Sequence, residues 1–153
     1  AELFRISCFL PTIITDQDKR TQKIFNDFGF NFGMAFQLSD DVLDYFGDSS
    51  KMGKSVGKDF FEGKVTYPVI HCFKKSDRKS KKIIAKLFFK RKRSKKDLAI
   101  ILDLMKKTNT YKSSIEFVRK YAEKAKTNIN KFEGNKYKVY LDELVDHLII
   151  REK

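Results

Sequence analysis

The chain has 153 residues, 41% of them hydrophobic, 35% charged and 14% aromatic, with 15 Phe, no Trp and a formal net charge of +13. That is one domain's worth of chain with a real core, and the composition excludes a disordered polyampholyte, a collagen-like repeat and a disulfide-rich mini-domain. No apolar run approaches the ~20 residues of a membrane-spanning helix, and two Pro with seven Gly are too few for a many-turn β-sandwich.

In chain order, Leu3, Phe4, Ile6, Cys8, Phe9 and Leu10 form a short apolar helical segment. It is expected to stop at Pro11, with residues 11–15 as connection and Asp16 as the next N-cap. A long helix is predicted from Gln17 to Phe46, because Ile24, Phe25, Phe28, Phe32, Ala35, Phe36, Val42 and Leu43 recur at helical steps. Gly29 and Gly33 are four apart and permit a close helix contact. Residues Gly47–Gly63 read as a polar, glycine-punctuated loop with Lys51, Lys54, Lys58 and Lys64 in or beside it. Such length in a compact domain points to function. Further helices are predicted at about 66–73, with Pro68 in the first turn, and at 79–89, 95–107, 112–132 and 139–150, with Gly134 as a C-cap. No alternating strand pattern, repeat or linker competes, so the fold class is all-α. Cys8 and Cys72 read as reduced packing thiols, and His71 and His147 as packing or surface residues.

The excess charge is local. Thirteen Lys/Arg and one acid, Asp77, fall between Lys74 and Lys96, while the other twenty basic residues nearly balance nineteen acids. Such a stripe suits an anionic membrane, nucleic acid or an acidic partner; a plain solvated pair of helix faces is the alternative.

One segment carries chemistry: Phe36-Gln37-Leu38-Ser39-Asp40-Asp41-Val42-Leu43-Asp44. At about 100° per residue, Gln37, Asp40, Asp41 and Asp44 fall within an arc of about 100°. Like charges at this spacing repel, and they lie away from the helix start where the dipole would favour them. A bound cation resolves the conflict, and an all-oxygen set suits Mg²⁺, which completes its shell with water and phosphate oxygens. With Lys54 and Lys64 in the following loop, the pattern is that of a bound diphosphate.

The segments Gly33–Asp48 (GMAFQLSDDVLDYFGD), Met52–Asp59 (MGKSVGKD) and Glu62–Val69 (EGKVTYPV) together closely resemble the second aspartate-rich region of the trans (all-E) polyprenyl diphosphate synthases. Glu62-Gly63-Lys64 resembles the long-chain, octaprenyl and decaprenyl, branch most. Ala1–Leu10 is similar to the stretch after the family's Lys-Thr pair, and Leu141–Lys153 to its last helix. The resemblance implies a helical bundle of the isoprenoid synthase type. Residues 1–153 would be its C-terminal part, without the first aspartate-rich motif, through a split or decayed gene or a shortened chain.

The resemblance also implies roles. Asp40 and Asp44 would contact Mg²⁺, supported by Asp41, with Asp59 completing the shell through water. Gln37 would sit by the allylic diphosphate, and Lys54 and Lys64 would hold it. Asp40, Asp41, Asp44 and Lys54 thus form the catalytic set. Phe36 would line the hydrocarbon tunnel, and Arg151 with Lys153 would approach isopentenyl diphosphate. The implied function is prenyl transfer from an allylic diphosphate to isopentenyl diphosphate, in isoprenoid or quinone side-chain synthesis. The isolated half is expected to be inactive. A homodimer or heteromer, a cytoplasmic location and peripheral membrane contact through Lys74–Lys96 are the further expectations. Two alternatives stand beside it: a non-catalytic subunit or remnant packed on a complete synthase, and a basic helical nucleic-acid-binding module. Against the latter, the stripe lacks a DNA-reading motif or interleaved aromatics.

Overall fold

The computed structural model describes residues 1–47, 56–133 and 136–150, the last two as backbone alone. All regular structure among the described residues is helical: α1 (Glu2–Ile14), α2 (Lys19–Phe46), α3 (Lys58–Glu62), α4 (Tyr67–Lys75), α5 (Arg78–Phe88), α6 (Lys95–Lys107), α7 (Thr110–Asn130) and α8 (Lys138–Ile150). The all-α expectation holds.

Three local expectations are corrected. Helix α1 does not stop at Pro11 but runs through it to Ile14. Proline near the end removes only one intrahelical donor, and the amides of Thr15, Asp16 and Gln17 find the carbonyls of Pro11, Ile13 and Thr12 at 3.0, 3.1 and 2.9 Å. Asp16 is not the cap of α2: it takes a left-handed conformation, φ 49°, and Asp18 accepts the Thr21 amide at 2.6 Å instead. The stretch Gly47–Gly63 is not all loop, because α3 forms between Gly57 and Gly63, whose φ values of 85° and 79° favour glycine. Residues 48–55, Lys51 and Lys54 among them, lie outside the described residues, as does Gly134.

The chain divides into two compact units, residues 1–39 with 116–153, and residues 40–115. Both breaks fall inside helices, α2 and α7, so no Pro, Gly or Ser run marks them in the sequence. In the first unit, Phe28, Ala35, Ala122, Ala125, Ile129, Val145 and Leu148 are buried, with Phe25, Phe32, Phe36 and Phe132 packed on them. Phe4 meets Phe32 edge-on at 5.2 Å, and Phe25 meets Phe132 at 5.2 Å. Gly29 lets α1 come so close that an added Cβ would lie 2.7 Å from the Phe4 carbonyl and 2.8 Å from Cys8 Cβ. The expected close contact is therefore with α1.

In the second unit, Tyr45, Phe60, Val69, Cys72, Ile84, Leu87, Leu98, Ile101, Leu104 and Met105 form the core. Asp77 caps α5 by accepting the Ser80 amide. Ser94 and Asp97 close a reciprocal capping box on α6, satisfying donors the helix leaves open. Both cysteines are free, Cys72 buried and Cys8 half-buried. His71 Nδ1 lies 3.2 Å from the Thr110 hydroxyl, a packing role.

Candidate functional site

The site lies in the second unit, where the C-terminal end of α2 meets α3. Chain reversal after α2 is closed by the Gly57 amide, which donates to the Asp44 carbonyl at 2.7 Å. The next turn brings the Asp59 amide onto Asp44 Oδ2 at 3.0 Å. The start of α3 is thus seated on Asp44. Gly63 ends α3, and the Lys64 amide returns to the Asp59 carbonyl at 2.9 Å. The Lys64 ammonium then lies 3.3 Å from Asp59 Oδ1 and 2.6 Å from Glu62 Oε2.

The structure brings Asp44, Asp59 and Lys64 together. The arc of Gln37, Asp40, Asp41 and Asp44 does not keep one environment. Gln37 and Asp40 are exposed and Asp44 is half-buried, while Asp41 is only 8% exposed. One flank of the arc borders Leu38, Val42 and Tyr45, all in the core, so Asp41 is drawn inward. Phe36 packs on Phe4 at 5.1 Å in the first unit. Lys54, Arg151 and Lys153 lie outside the described residues.

Burial raises the Asp44 carboxyl above its ordinary value, with the nearby Asp59 charge acting the same way; the Asp59 and Lys58 amides and Lys64 pull against it. Glu62 is held low and Lys64 high, each chiefly by their mutual hydrogen bond. Tyr45, next to Asp44 on α2, is buried in the core of the second unit beneath the site. Its buried hydroxyl lies beside that of Thr66, and neither has a further side-chain partner in hydrogen-bond geometry. Burial first, then the charges of Asp44 and Asp59, push its ionisation far up, so Tyr45 stays a neutral phenol.

Arg93 is a further residue that composition hides. It stands in the basic run, yet its guanidinium donates to the carbonyls of Leu87 at 3.2 Å, Phe61 at 3.3 Å and Phe88. It also lies over the rings of Phe60 and Phe88 at 5.9 and 5.6 Å. A Cβ at Gly63 would meet it at 2.8 Å. Arg93 therefore ties the end of α3 to the end of α5. The sequence sets it apart only by its place one residue before the helix cap Ser94.

Among the described residues no three His, Cys, Asp or Glu converge as a ready metal cluster. Asp40 and Asp44 lie one turn apart on α2, and such a pair fits a hard cation that keeps most of its shell as water and phosphate oxygen. Mg²⁺ with a diphosphate fits this donor set.

Residues 1–105 match the family described as Polyprenyl synthetase. The chain is 31% identical over 131 residues to heptaprenyl diphosphate synthase component 2 of Bacillus subtilis, covering 85% of this chain and 36% of that protein. It is 31% identical over 150 residues to geranylgeranyl pyrophosphate synthase of Geoglobus acetivorans, covering 98% and 45%. The crystal structure of a decaprenyl diphosphate synthase from Rhodobacter capsulatus superposes with a TM-score of 0.89 at 28% identity, covering 99% of this chain and 46% of that one. The chain thus spans less than half the length of these relatives. The family match covers more than half of this chain, and the fold agrees with it. The chain belongs to the polyprenyl synthetase family.

Proposed function

We propose that this chain supplies the allylic-diphosphate side of a prenyltransferase that joins isopentenyl diphosphate to an allylic diphosphate. The observation that carries this reading is the Asp44–Asp59–Lys64 arrangement, with Asp40 one turn before Asp44. Asp40 and Asp44 would hold Mg²⁺, with Asp59 reaching it through water, and the bound ion would neutralise the diphosphate as the allylic C–O bond ionises. Lys64 exchanges its Asp59 and Glu62 partners for diphosphate oxygens. Gln37 orients the same group, Phe36 borders the hydrocarbon, and Lys54 and Arg151 meet the diphosphates. Asp41, buried, fixes the helix face that presents Asp40 and Asp44. The isopentenyl double bond attacks the allylic carbon, diphosphate leaves with the bonding pair, and a proton is lost. The protein's contribution is positioning and charge stabilisation.

The long-chain branch is the product class we favour, supported by the Glu62-Gly63-Lys64 motif and the likeness to a decaprenyl synthase. Relatives named for geranylgeranyl and heptaprenyl products make chain length a matter for product analysis. The name of the component 2 relative supports a heteromer as the working form, beside a homodimer. No helix among the described residues is long and apolar enough to cross a membrane; we assign a cytoplasmic place with peripheral membrane contact through Lys74–Lys96.

The test is incorporation of labelled isopentenyl diphosphate into extractable product, with the chain alone and with the N-terminal half of a related synthase added. Turnover only with the added half, lost with Asp40→Ala, supports the reading. Robust turnover by the chain alone contradicts the half-site, and no turnover in any combination contradicts the activity.

A further inference from the structure

We propose that Phe89 is the insertion point of a membrane-docking face on α5, its occupant an anionic lipid surface. This rests on the peripheral contact proposed above and names its anchor.

The face is built by helix geometry. At about 100° per residue, Arg78, Lys79, Lys82 and Lys86 fall within an arc of about 100°, and all four are exposed. Ile84 and Leu87 lie opposite and are buried. Phe89 caps α5 with φ −78° and ψ −10°, still right-handed, so it continues the same turn and falls inside the cationic arc. It is 88% exposed, and no other large apolar residue from 77 to 92 is exposed. Two of the following cations are engaged internally: Lys90 pairs with Asp97 at 2.6 Å, and Arg93 holds helix-end carbonyls. Arg91 and Lys92 remain on the surface beside Phe89.

A lone projecting phenyl ringed by long-stemmed cations matches a lipid interface. The ring enters the acyl boundary, while the amines stay at the level of anionic headgroups. A single-stranded nucleic acid needs a succession of aromatic platforms along a cationic groove, and this face offers one ring.

The full chain lacks Trp, so Phe89→Trp places a single reporter at the anchor. Its emission should shift to the blue with phosphatidylcholine vesicles containing phosphatidylglycerol, and bromine-labelled acyl chains should quench it. Phosphatidylcholine alone should leave it unchanged. In sedimentation, Phe89→Ser should weaken binding of the otherwise unaltered chain to the anionic vesicles roughly tenfold. Lys82→Gln with Lys86→Gln should weaken it by at least as much, with the remainder lost in high salt. At such exposed positions helicity by circular dichroism should not change. An unshifted emission, or Phe89→Ser binding as tightly as the unaltered chain, overturns the proposal. So does an emission change with a single-stranded oligonucleotide in the absence of vesicle binding. No diphosphate enters these assays, so their failure is separable from failure of the prenyl-transfer reading.

Discussion

Asp59 donates its backbone N–H to the carboxylate of Asp44 across 3.0 Å, fifteen residues away in sequence. Asp44 therefore has a structural duty, seating α3, beside the chemical one proposed for it. The two separate by substitution. Asp44→Asn keeps an acceptor for the amide and removes the charge. Asp44→Ala leaves the amide without its partner and should cost about 1–3 kcal/mol more in urea denaturation than Asp44→Asn.

Gly29→Ala should destabilise the first unit. The new Cβ would meet the Phe4 carbonyl at 2.7 Å and Arg5 Cα at 2.9 Å, backbone atoms that yield only if α1 moves away. The expected loss is about 1–3 kcal/mol, despite the better helix propensity of Ala. Gly33→Ala should destabilise this unit as well, because a Cβ there would meet the Ala1 Cα and carbonyl oxygen at 2.8 Å and Phe4 Cβ at 3.0 Å. Urea denaturation of both variants checks the losses.

Arg93→Ala should cost about 2 kcal/mol, since hydrogen bonds from a charged donor to three carbonyls are lost. Arg93→Lys should recover less than half of it, because one ammonium cannot reproduce the guanidinium fork. Lys92→Ala, at an exposed neighbour, should be nearly silent in the same thermal melts.

Asp97 sets a pH dependence. The Lys90 ion pair, then the Ser94 amide, lower its carboxyl from 3.8 to about 2. A depressed folded value gives stability that is fully present above the unfolded value. It is lost as pH falls from about 4 toward 2. Asp97→Asn should flatten that part of the profile, and Lys90→Met should narrow it. The check is the urea midpoint measured across this range.

The helices were legible because apolar residues recur at three and four: the predicted 95–107 is the observed α6. Asp16 and Asp18 were indistinguishable as caps, since only geometry shows which carboxylate reaches Thr21. Residues 58–62 are too few for periodicity to register, so α3 was hidden between its glycines. The carboxylates of the site were legible from their mutual repulsion on one face, but the inward turn of Asp41 depends on which flank borders the core. Arg93 was illegible for the opposite reason. Among the thirteen cations between Lys74 and Lys96, Arg93, which folds against helix-end carbonyls, has the same composition signal as those that face water.

The most direct test of the proposed half-site is calorimetric titration of the 153-residue chain with inorganic pyrophosphate, with and without Mg²⁺. Binding should require Mg²⁺ in the unaltered chain. Asp40→Ala and Asp44→Asn, with helicity retained, should abolish the Mg²⁺-dependent heat. Equal pyrophosphate binding in the presence and absence of Mg²⁺ would contradict the assignment of Asp40 and Asp44 to a metal–diphosphate site.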